Sequence, residues 1–148
     1  MAIDVKAETI IHCPKTDVAE YAFNPVNDPV WIGGINEANL LTGRPIGVGT
    51  KVQRIAGFMG KKIDYILEVI EFEEETLMVM ESIKSPFPMK VTYKFDDADK
   101  GTQATIRVEG NSKGFYKLTD FLMAGKVKKN ISEDLERLKK IMEEKNNE

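Results

Sequence analysis

Alternation of apolar and polar residues dominates the middle of the chain. The two clearest examples are Met89/Val91/Tyr93/Phe95 and Ala104/Ile106/Val108. A period of two predicts strands with one buried and one solvated face, as in antiparallel sheets. Turn-forming residues separate six such segments, so we predict strands at residues 36–43, 50–57, 61–72, 75–84, 88–97 and 102–110.

The residues before these segments predict a first strand followed by two short helices. Residues 3–11 combine partial alternation with β-branched side chains, which is typical of a strand. Residues 15–23 place apolar side chains on one helical face, and Pro14 suits the first turn of a helix. A second short helix or turn contains Pro29 and Trp31 and stops at Gly33-Gly34.

The end of the chain predicts one long helix at residues 114–145. Its apolar residues recur at spacings of three and four, which makes a continuous stripe: Leu118, Phe121, Ala124, Val127, Ile131, Leu135, Leu138 and Met142. At 1.5 Å per residue such a helix is roughly 45 Å long, longer than a small sheet covers. We therefore expect its last turns to fray or overhang, and residues 146–148 to be disordered.

The predicted order is one strand, two short helices, six strands and one long helix. Short connections leave no room for parallel crossovers before the last strand, so the sheet is predicted to be antiparallel. A chain of 148 residues is one domain's worth and buries roughly 70% of its unfolded surface. The sequence therefore predicts a single α+β domain over residues 1–148, with about seven strands and a long helix across the sheet.

Composition and charge exclude some classes of binding partner for this protein. The chain is 42% hydrophobic and 30% charged, and its net charge of −3 argues against a nucleic-acid binder. No apolar run approaches the roughly 20 residues that span a bilayer, so no integral membrane association is expected. Charged residues interrupt the N-terminus where a signal peptide needs an apolar core, and Cys13 is the single cysteine. We expect a cytoplasmic monomer or homodimer.

Five short segments together resemble a known family. In chain order they are residues 11–18 (Ile-His-Cys-Pro-Lys-Thr-Asp-Val), 27–31 (Asn-Asp-Pro-Val-Trp), 47–52 (Gly-Val-Gly-Thr-Lys-Val), 100–105 (Lys-Gly-Thr-Gln-Ala-Thr) and 135–139 (Leu-Glu-Arg-Leu-Lys). In these segments the chain resembles the START-like, helix-grip superfamily, and within it the polyketide cyclase/dehydrase and lipid-transport (SRPBCC) group. The resemblance implies a curved sheet wrapped around the long helix. It also implies a cavity between them for lipids, polyketides or other small hydrophobic molecules.

Several residues are candidates for the lining of this cavity. Trp31, Tyr65 and Tyr93 combine a large apolar body with a polar tip, which orients as well as buries a ligand. Ala124 and Gly125 are small residues in the middle of the long helix and would leave space beside the sheet. An ordinary packed core explains most of these residues equally well. The full candidate set is Trp31, Tyr65, Leu67, Met80, Phe87, Met89, Tyr93, Leu118, Phe121, Leu122 and Gly125.

Local motifs for catalysis or metal binding are weak. Residues 110–114 match Gly-x-Ser-x-Gly, but His12, the one histidine, precedes Ser112, which is the wrong order for an α/β-hydrolase triad. Ser112 is better interpreted as a helix N-cap. One histidine and one cysteine do not supply a usual zinc ligand set, and Gly47-x-Gly49 precedes a strand, which is typical of a hairpin loop. No catalytic residue, metal or cofactor is predicted.

Acid–base chemistry inside the cavity remains an alternative. Asp64, Glu68, Glu81 and Arg107 are polar groups on predicted strands, and a buried carboxylate would have a raised pKa. Period two, however, places Tyr65 on the inner face of its strand and leaves Asp64 and Glu68 in water.

Three hypotheses follow. The first is a binder or carrier of a small hydrophobic ligand, with no catalysis. The second is a cyclase, dehydratase or isomerase that uses the same cavity, which a buried carboxylate or an inward Arg107 would favour. The third is a protein-interaction module, which a large exposed apolar patch would favour. Lys126, Lys128 and Lys129 form a small basic cluster that either contacts an anionic surface or is simply a solvated helix face.

Overall fold

The computed structural model describes residues 2–58, 60–85, 88–111 and 117–146, with residues 2, 58, 111 and 117–123 described for the backbone alone. The elements are β1 (Ala2–Ile11), α1 (Lys15–Ala22), a 3₁₀ turn (Pro25–Asn27), α2 (Asp28–Trp31), β2 (Ile35–Leu40), β3 (Lys51–Phe58), β4 (Lys61–Glu73), β5 (Leu77–Lys84), β6 (Met89–Ala98), β7 (Gly101–Asn111) and α3 (Lys117–Asn146).

Seven strands in the described residues form one antiparallel sheet. Their order is β1-β7-β6-β5-β4-β3-β2, so consecutive strands are hairpin neighbours except that β1 pairs with β7. The sheet is curved into a half-barrel around α3. Bulges interrupt the pairing of β4 with β5, and such irregularities bend and twist a strand. The predicted α+β, helix-grip architecture is confirmed.

Period two along the strands decides which face is buried. On β4, Tyr65, Leu67 and Val69 are buried, whereas the intervening Asp64 is exposed, as the sequence predicted. The helix α3 lies on this inner face and buries Ile131, Leu135, Leu138 and Met142 against it. Helical spacing of three and four keeps these side chains on one side of α3.

Two strand boundaries differ from the prediction by two residues or more, because a turn begins earlier or ends later than expected. The strand predicted at 36–43 ends at Leu40, and the following loop contains Gly43 and the cis bond between Arg44 and Pro45. The strand predicted at 75–84 begins at Leu77, because Glu75 lies in the preceding turn with a φ of 66°. A positive φ at a non-glycine residue is typical of tight turns and not of strands.

The prediction that the last turns of α3 fray or overhang is wrong. Met142 is 3% exposed, and the Asn146 amide donates to the carbonyl oxygen of His12 at 3.3 Å. The Lys145 ammonium lies 5.4 Å from the centre of the Tyr21 ring, a cation–π contact. The last turns have α1 and the end of β1 to pack against, a surface that sheet length alone does not include. Residues 147 and 148 and the predicted helix start at 114 lie outside the described residues.

The two ends of the half-barrel differ, and we name them by their hairpins. The packed end carries the β4–β5 turn (residues 74–76) and the β6–β7 turn (residues 99–100). There Phe23, after α1, packs against Phe95 at 5.3 Å and Phe72 at 5.7 Å between ring centres. The cavity end carries the β3–β4 and β5–β6 hairpins and the last residues of β7.

Candidate ligand-binding site

A cavity of about 500 Å³ lies at the cavity end, between the inner face of the sheet and the middle of α3. It is partly open to solvent and mostly apolar. Its lining residues are Ile3, Ile32, Gly33, Gly34, Ile35, Arg54, Ala56, Gly57, Ile63, Tyr65, Ser85, Pro88, Met89, Val91, Tyr93, Ile106, Val108, Gly110, Lys126, Val127, Asn130, Ile131, Glu133 and Asp134.

The strand period explains why these residues meet. Along β6, Met89, Val91 and Tyr93 occupy every second position and line the cavity together. On β3 the same period brings Arg54 and Ala56 to the inner face. Because β3 and β6 are antiparallel members of one curved sheet, their cavity-end halves converge on one space.

A charged residue lies inside this apolar wall. Arg54 is 4% exposed; its Nε donates to the Asp28 Oδ2 at 3.0 Å, and its Nη2 lies 2.9 Å from the same oxygen. Asp28, at the start of α2, is 3% exposed. The Nη2 of Arg54 also donates to the Tyr93 hydroxyl at 3.1 Å. The guanidinium is therefore paired with a carboxylate and hydrogen-bonded, which is what a buried charge requires.

The protonation states in this cluster follow from burial and pairing. Burial raises the pKa of Asp28, and the neighbouring Arg54 opposes that rise. Burial by itself lowers the pKa of Arg54, but Asp28 and Tyr93 outweigh it and raise that pKa well above the ordinary value. Burial raises the pKa of Tyr93 to about 12. At neutral pH the guanidinium is therefore charged and the tyrosine hydroxyl keeps its proton.

These states make Tyr93 a hydrogen-bond donor toward the cavity. Its oxygen accepts from Arg54, so its own O–H proton is available to an acceptor on a bound molecule. Tyr65 also lines the cavity, opposite Arg54 in the pairing of β3 with β4. The wall is thus mostly apolar, and this patch is one of its polar parts.

Hydrogen bonds in a second polar cluster connect α3 to the residues before β2. Asp134 on α3 is 6% exposed, lines the cavity and accepts from the Gly33 N–H at 2.8 Å. Arg137 donates to the Asp134 carboxylate at 3.1 Å and to the Trp31 carbonyl oxygen at 2.8 Å. Burial raises the pKa of Asp134, while the bonds from Gly33 and Arg137 oppose that rise.

Position 34, where the residues before β2 contact β3, requires glycine. Gly34 has a φ of +85°, in the left-handed region that favours glycine. A Cβ there would lie 3.1 Å from the Gly57 carbonyl oxygen, while the Gly57 N–H donates to the Gly34 carbonyl oxygen at 2.8 Å. This close backbone approach closes one side of the cavity.

The structure places the predicted cavity residues in three groups. Tyr65, Met89 and Tyr93 line the cavity. Trp31, Leu67 and Met80 are buried in the core and do not line it. Leu67 lies one pleat closer to the packed end than the lining residue Tyr65. Met80 pairs with the lining residue Val91 but is itself 1% exposed and covered by its neighbours. Trp31 lies behind Tyr93, with ring centres 5.6 Å apart.

The third group comes from α3 and the β5–β6 connection. Gly125 is exposed and is not among the lining residues, and a Cβ added to it would meet no atom within 4 Å. Helical spacing instead brings Lys126, Val127 and Asn130 to the lining. Phe87 lies outside the described residues, as do the side chains of Leu118, Phe121 and Leu122. A role for these residues in ligand binding stays a prediction.

Sequence reasoning missed the three buried charges, Arg54, Asp28 and Asp134. A signal for Arg54 existed, because period two places it with the buried Val52 and Ala56 on β3. Arg107, which the sequence singled out, instead lies on the outer face and pairs with Asp4 at 2.7 Å. The positions of Asp28 and Asp134 depend on tertiary contacts that periodicity does not contain.

The other sequence candidates lie away from the cavity. His12 is exposed at the packed end, where its Nδ1 lies 2.9 Å from the Glu143 carboxylate. Ser112 lies outside the described residues. Across residues 2–58, 60–85, 88–111 and 117–146, no group of three His, Cys, Asp or Glu side chains is placed to hold a metal ion. Within those same ranges no helix is long and apolar enough to cross a bilayer.

Comparison with known families agrees with the fold. The family model described as "Polyketide cyclase / dehydrase and lipid transport" matches residues 2–143. No curated protein is significantly similar to the chain.

Solved structures of similar shape include proteins from several bacteria. A protein of Thermus thermophilus is 20% identical, covers 93% of this chain and 94% of its own, and has a TM-score of 0.80. The Zhui aromatase/cyclase from a Streptomyces species is 12% identical, with coverage of 97% and 94% and a TM-score of 0.82. A START superfamily protein from Mycobacterium smegmatis is 15% identical, with coverage of 96% and 95% and a TM-score of 0.72. At these identities the likeness establishes the fold alone.

Proposed function

The chain belongs to the polyketide cyclase/dehydrase and lipid-transport family, and on that premise we propose that it binds and carries a small hydrophobic molecule in its cavity. The observation that carries the proposal is the cavity itself, about 500 Å³ of mostly apolar space between sheet and α3. Pockets for small organic ligands have volumes of roughly 300–1,000 Å³, apolar walls and a few placed polar groups.

The polar patch defines the chemistry of one end of the ligand. Arg54, whose charge Asp28 balances, donates to the Tyr93 oxygen, and Tyr93 supplies a free O–H donor beside it. A carbonyl, carboxylate or phenolate oxygen is the group that such donors bind most strongly. The ligand is therefore an apolar body with at least one oxygen acceptor, seated with that oxygen toward Arg54 and Tyr93.

Native mass spectrometry of gently purified protein, followed by extraction of any bound molecule, tests the proposal directly. A stoichiometric apolar adduct is the expected result. Displacement of an environment-sensitive apolar fluorophore then measures affinity for fatty acids and aromatic ketones. A protein that neither carries an adduct nor binds any of these probes would overturn the carrier function.

A matched pair of variants ties binding to the cavity. Ala56 lines the cavity, so Ala56→Leu fills part of it, and we expect affinity for the fluorophore to fall at least about tenfold. Ala98, half-buried at the packed-end terminus of β6, adds the same bulk elsewhere in Ala98→Leu, which should bind as the wild type does. Equal affinity in all three proteins would place the bound probe outside the cavity.

A second candidate function is cyclase or dehydratase chemistry, and the buried Asp134 favours it. Its carboxylate lines the cavity with a raised pKa, as a general acid or base requires. Arg54 and Tyr93 would then stabilise the enolate oxygen that forms as a ketone loses its α-proton. The test is incubation with a linear poly-β-ketone: the enolate carbon attacks a second ketone of the same molecule, the resulting β-hydroxyl leaves as water with an α-proton, and mass spectrometry detects the loss of one water. Turnover that Tyr93→Phe lowers roughly 10²-fold would support this function, and absence of turnover by the wild type would dismiss it.

A further inference from the structure

The cavity end carries exposed positive charge on two hairpins. Lys61 and Lys62 begin β4, directly after the β3–β4 turn, and Lys84 ends β5 at the β5–β6 turn. All three lysines are exposed. In the part of the chain that the structure describes, no carboxylate lies within 4 Å of their ammonium groups. Their charge is therefore available to a partner.

The two turns of the packed end carry mostly negative charge, although Lys100 also lies there. Glu71, Glu73 and Glu74 are exposed at and beside the β4–β5 turn, and Asp97 and Asp99 are exposed at the β6–β7 turn. With a net charge of −3, the chain as a whole is repelled by anionic surfaces. An anionic surface attracts the lysines of the cavity end and repels the carboxylates of the packed end. The protein would therefore approach such a surface with its cavity end first.

We propose that the cavity end docks on the surface of an anionic lipid bilayer. Each lysine near such a surface strengthens binding about fivefold, and the effect fades within a Debye length, so the charges must lie on the docking face. The lysines at the hairpin tips meet that condition. A phosphate- or carboxylate-bearing membrane is thus the complementary partner.

Apolar exposure beside the lysines favours a membrane over an acidic protein. Ile83 is 50% exposed next to Lys84, and the exposed Pro88 follows on the other side of the β5–β6 turn. Apolar side chains flanked by lysines suit the interface between lipid headgroups and acyl chains. Acidic protein surfaces offer charge without that apolar layer.

The docking face is continuous with the cavity. Ser85 and Pro88, from the same hairpin as Lys84, line the cavity, as do Gly57 and Ile63 on either side of the β3–β4 turn. A hydrophobic ligand passing between cavity and bilayer would then cross the docked face without traversing water, which is costly for apolar surface.

Flotation of the full chain with lipid vesicles tests the docking face. The vesicles are neutral phosphatidylcholine, or phosphatidylcholine with phosphatidylglycerol as the anionic component. We expect the protein to float with the anionic vesicles only, and to be released by high salt. Lys61→Glu/Lys62→Glu should weaken this binding at least about tenfold.

The matched control reverses two lysines at the other end. Lys94→Glu/Lys100→Glu changes net charge by the same amount on the β6–β7 hairpin and should reduce binding much less. Failure of the wild type to bind anionic vesicles, or equal losses in both double variants, would overturn the proposal. So would stronger retention on polyglutamate beads than on vesicles, which would assign the face to an acidic protein.

The vesicle assay is independent of the carrier function. It uses protein from which any bound molecule has been extracted, and it needs no occupant of the cavity. Lys61→Glu/Lys62→Glu should still bind the apolar fluorophore with the affinity of the wild type, since neither lysine lines the cavity. Loss of both activities in this variant would mean a folding defect and would count against the docking face.

Discussion

The packed end and the cavity end of the half-barrel are built from the same strands, yet one is solid and the other hollow. On β6, Phe95 contacts Phe23 at the packed end, while Val91 and Met89 on the same face line open space. The packed end has α1 and the last turns of α3 to fill it. The difference shows that alternation along a strand decides which side chains point inward. Whether the interior is filled depends on the side chains that the helices pack against that face.

The two ends also differ in their buried polar groups. At the packed end, the Thr102 hydroxyl donates to the Cys13 carbonyl oxygen at 2.8 Å, a hydrogen bond between two uncharged groups. At the boundary with the cavity, Arg54 and Asp28 form a buried ion pair. The Nε1 atom of Trp31, beside that pair, is a buried polar atom for which the described residues provide no hydrogen-bond partner. Such concentrations of buried polarity cost stability and are typical of binding sites.

The largest effect should come from breaking the ion pair at this boundary. Arg54→Met leaves the Asp28 carboxylate buried without its partner, so we expect the free energy of unfolding near neutral pH to fall by about 3–5 kcal/mol. Protonation relieves this cost. Burial raises the pKa of Asp28 in the folded protein, and removal of Arg54 should raise it further. A group whose folded pKa is raised loses stability as pH rises, so the penalty should shrink toward about pH 4.

Urea denaturation across this pH range measures the effect, and the double variant Arg54→Met/Asp28→Asn is its control. Removal of both charges should recover most of the lost stability at neutral pH and abolish the pH dependence of the penalty. If Arg54→Met were equally destabilising at every pH, the cost would come from lost packing at the cavity wall and not from an unpaired charge.

A smaller effect separates filled from hollow packing. Val69 on β4 is 1% exposed in the solid core, and Val91 on β6 is 6% exposed but lines the cavity. Val69→Ala should lower the free energy of unfolding by about 2 kcal/mol, because the loss of two methyl groups leaves a new void among close-packed neighbours. Val91→Ala enlarges space that already exists and should cost about half as much.

Paired urea denaturation curves test this difference, since both substitutions remove the same atoms from a buried strand position. Equal losses would mean that the walls around Val91 are as tightly packed as those around Val69. Val91→Ala has a second expected consequence: it should alter affinity for the apolar fluorophore, which Val69→Ala should leave unchanged.

The overall fold was predictable because it depends on periods of two and of three to four residues. The alternation of β4 placed Tyr65 inward and Asp64 outward, and the stripe on α3 placed Ile131, Leu135 and Leu138 on the sheet. These features are local in sequence. Hydrophobic burial alone therefore orients each element correctly.

The site was less predictable because it depends on contacts between distant residues. Asp28 and Arg54 are 26 positions apart, and the bond between Asp134 and Gly33 spans 101 positions. Trp31, Leu67 and Met80 were expected in the cavity on residue type, but residue type does not say which inward side chains border the remaining space and which are covered by neighbours. For Gly125, small size suggested room beside the sheet, while its helical phase turns it outward.

The smallest expected change in the free energy of unfolding comes from removing a pH-dependent contact at the packed end. The Glu143 carboxylate accepts bonds from the Lys139 ammonium at 2.8 Å and from the backbone N–H of His12 at 2.9 Å. These bonds lower its pKa to about 2. A carboxyl group whose folded pKa is depressed stabilises the protein above its unfolded pKa and loses that contribution as pH falls toward the folded value.

Glu143→Gln should therefore lower the free energy of unfolding by about 1 kcal/mol at neutral pH, since solvent screens a partly exposed pair, and the difference from wild type should vanish between about pH 4.5 and 2. The neighbouring Glu144, exposed and in no ion pair that the structure describes, supplies the control Glu144→Gln, which should behave as the wild type does. Thermal unfolding of the three proteins at several pH values makes the comparison. A constant difference between Glu143→Gln and wild type down to about pH 2 would show that Glu143 acts by packing and not by its charge. The contact between Glu143 and His12 would then not weaken in acid, and the stability of the packed end would depend on its apolar core alone.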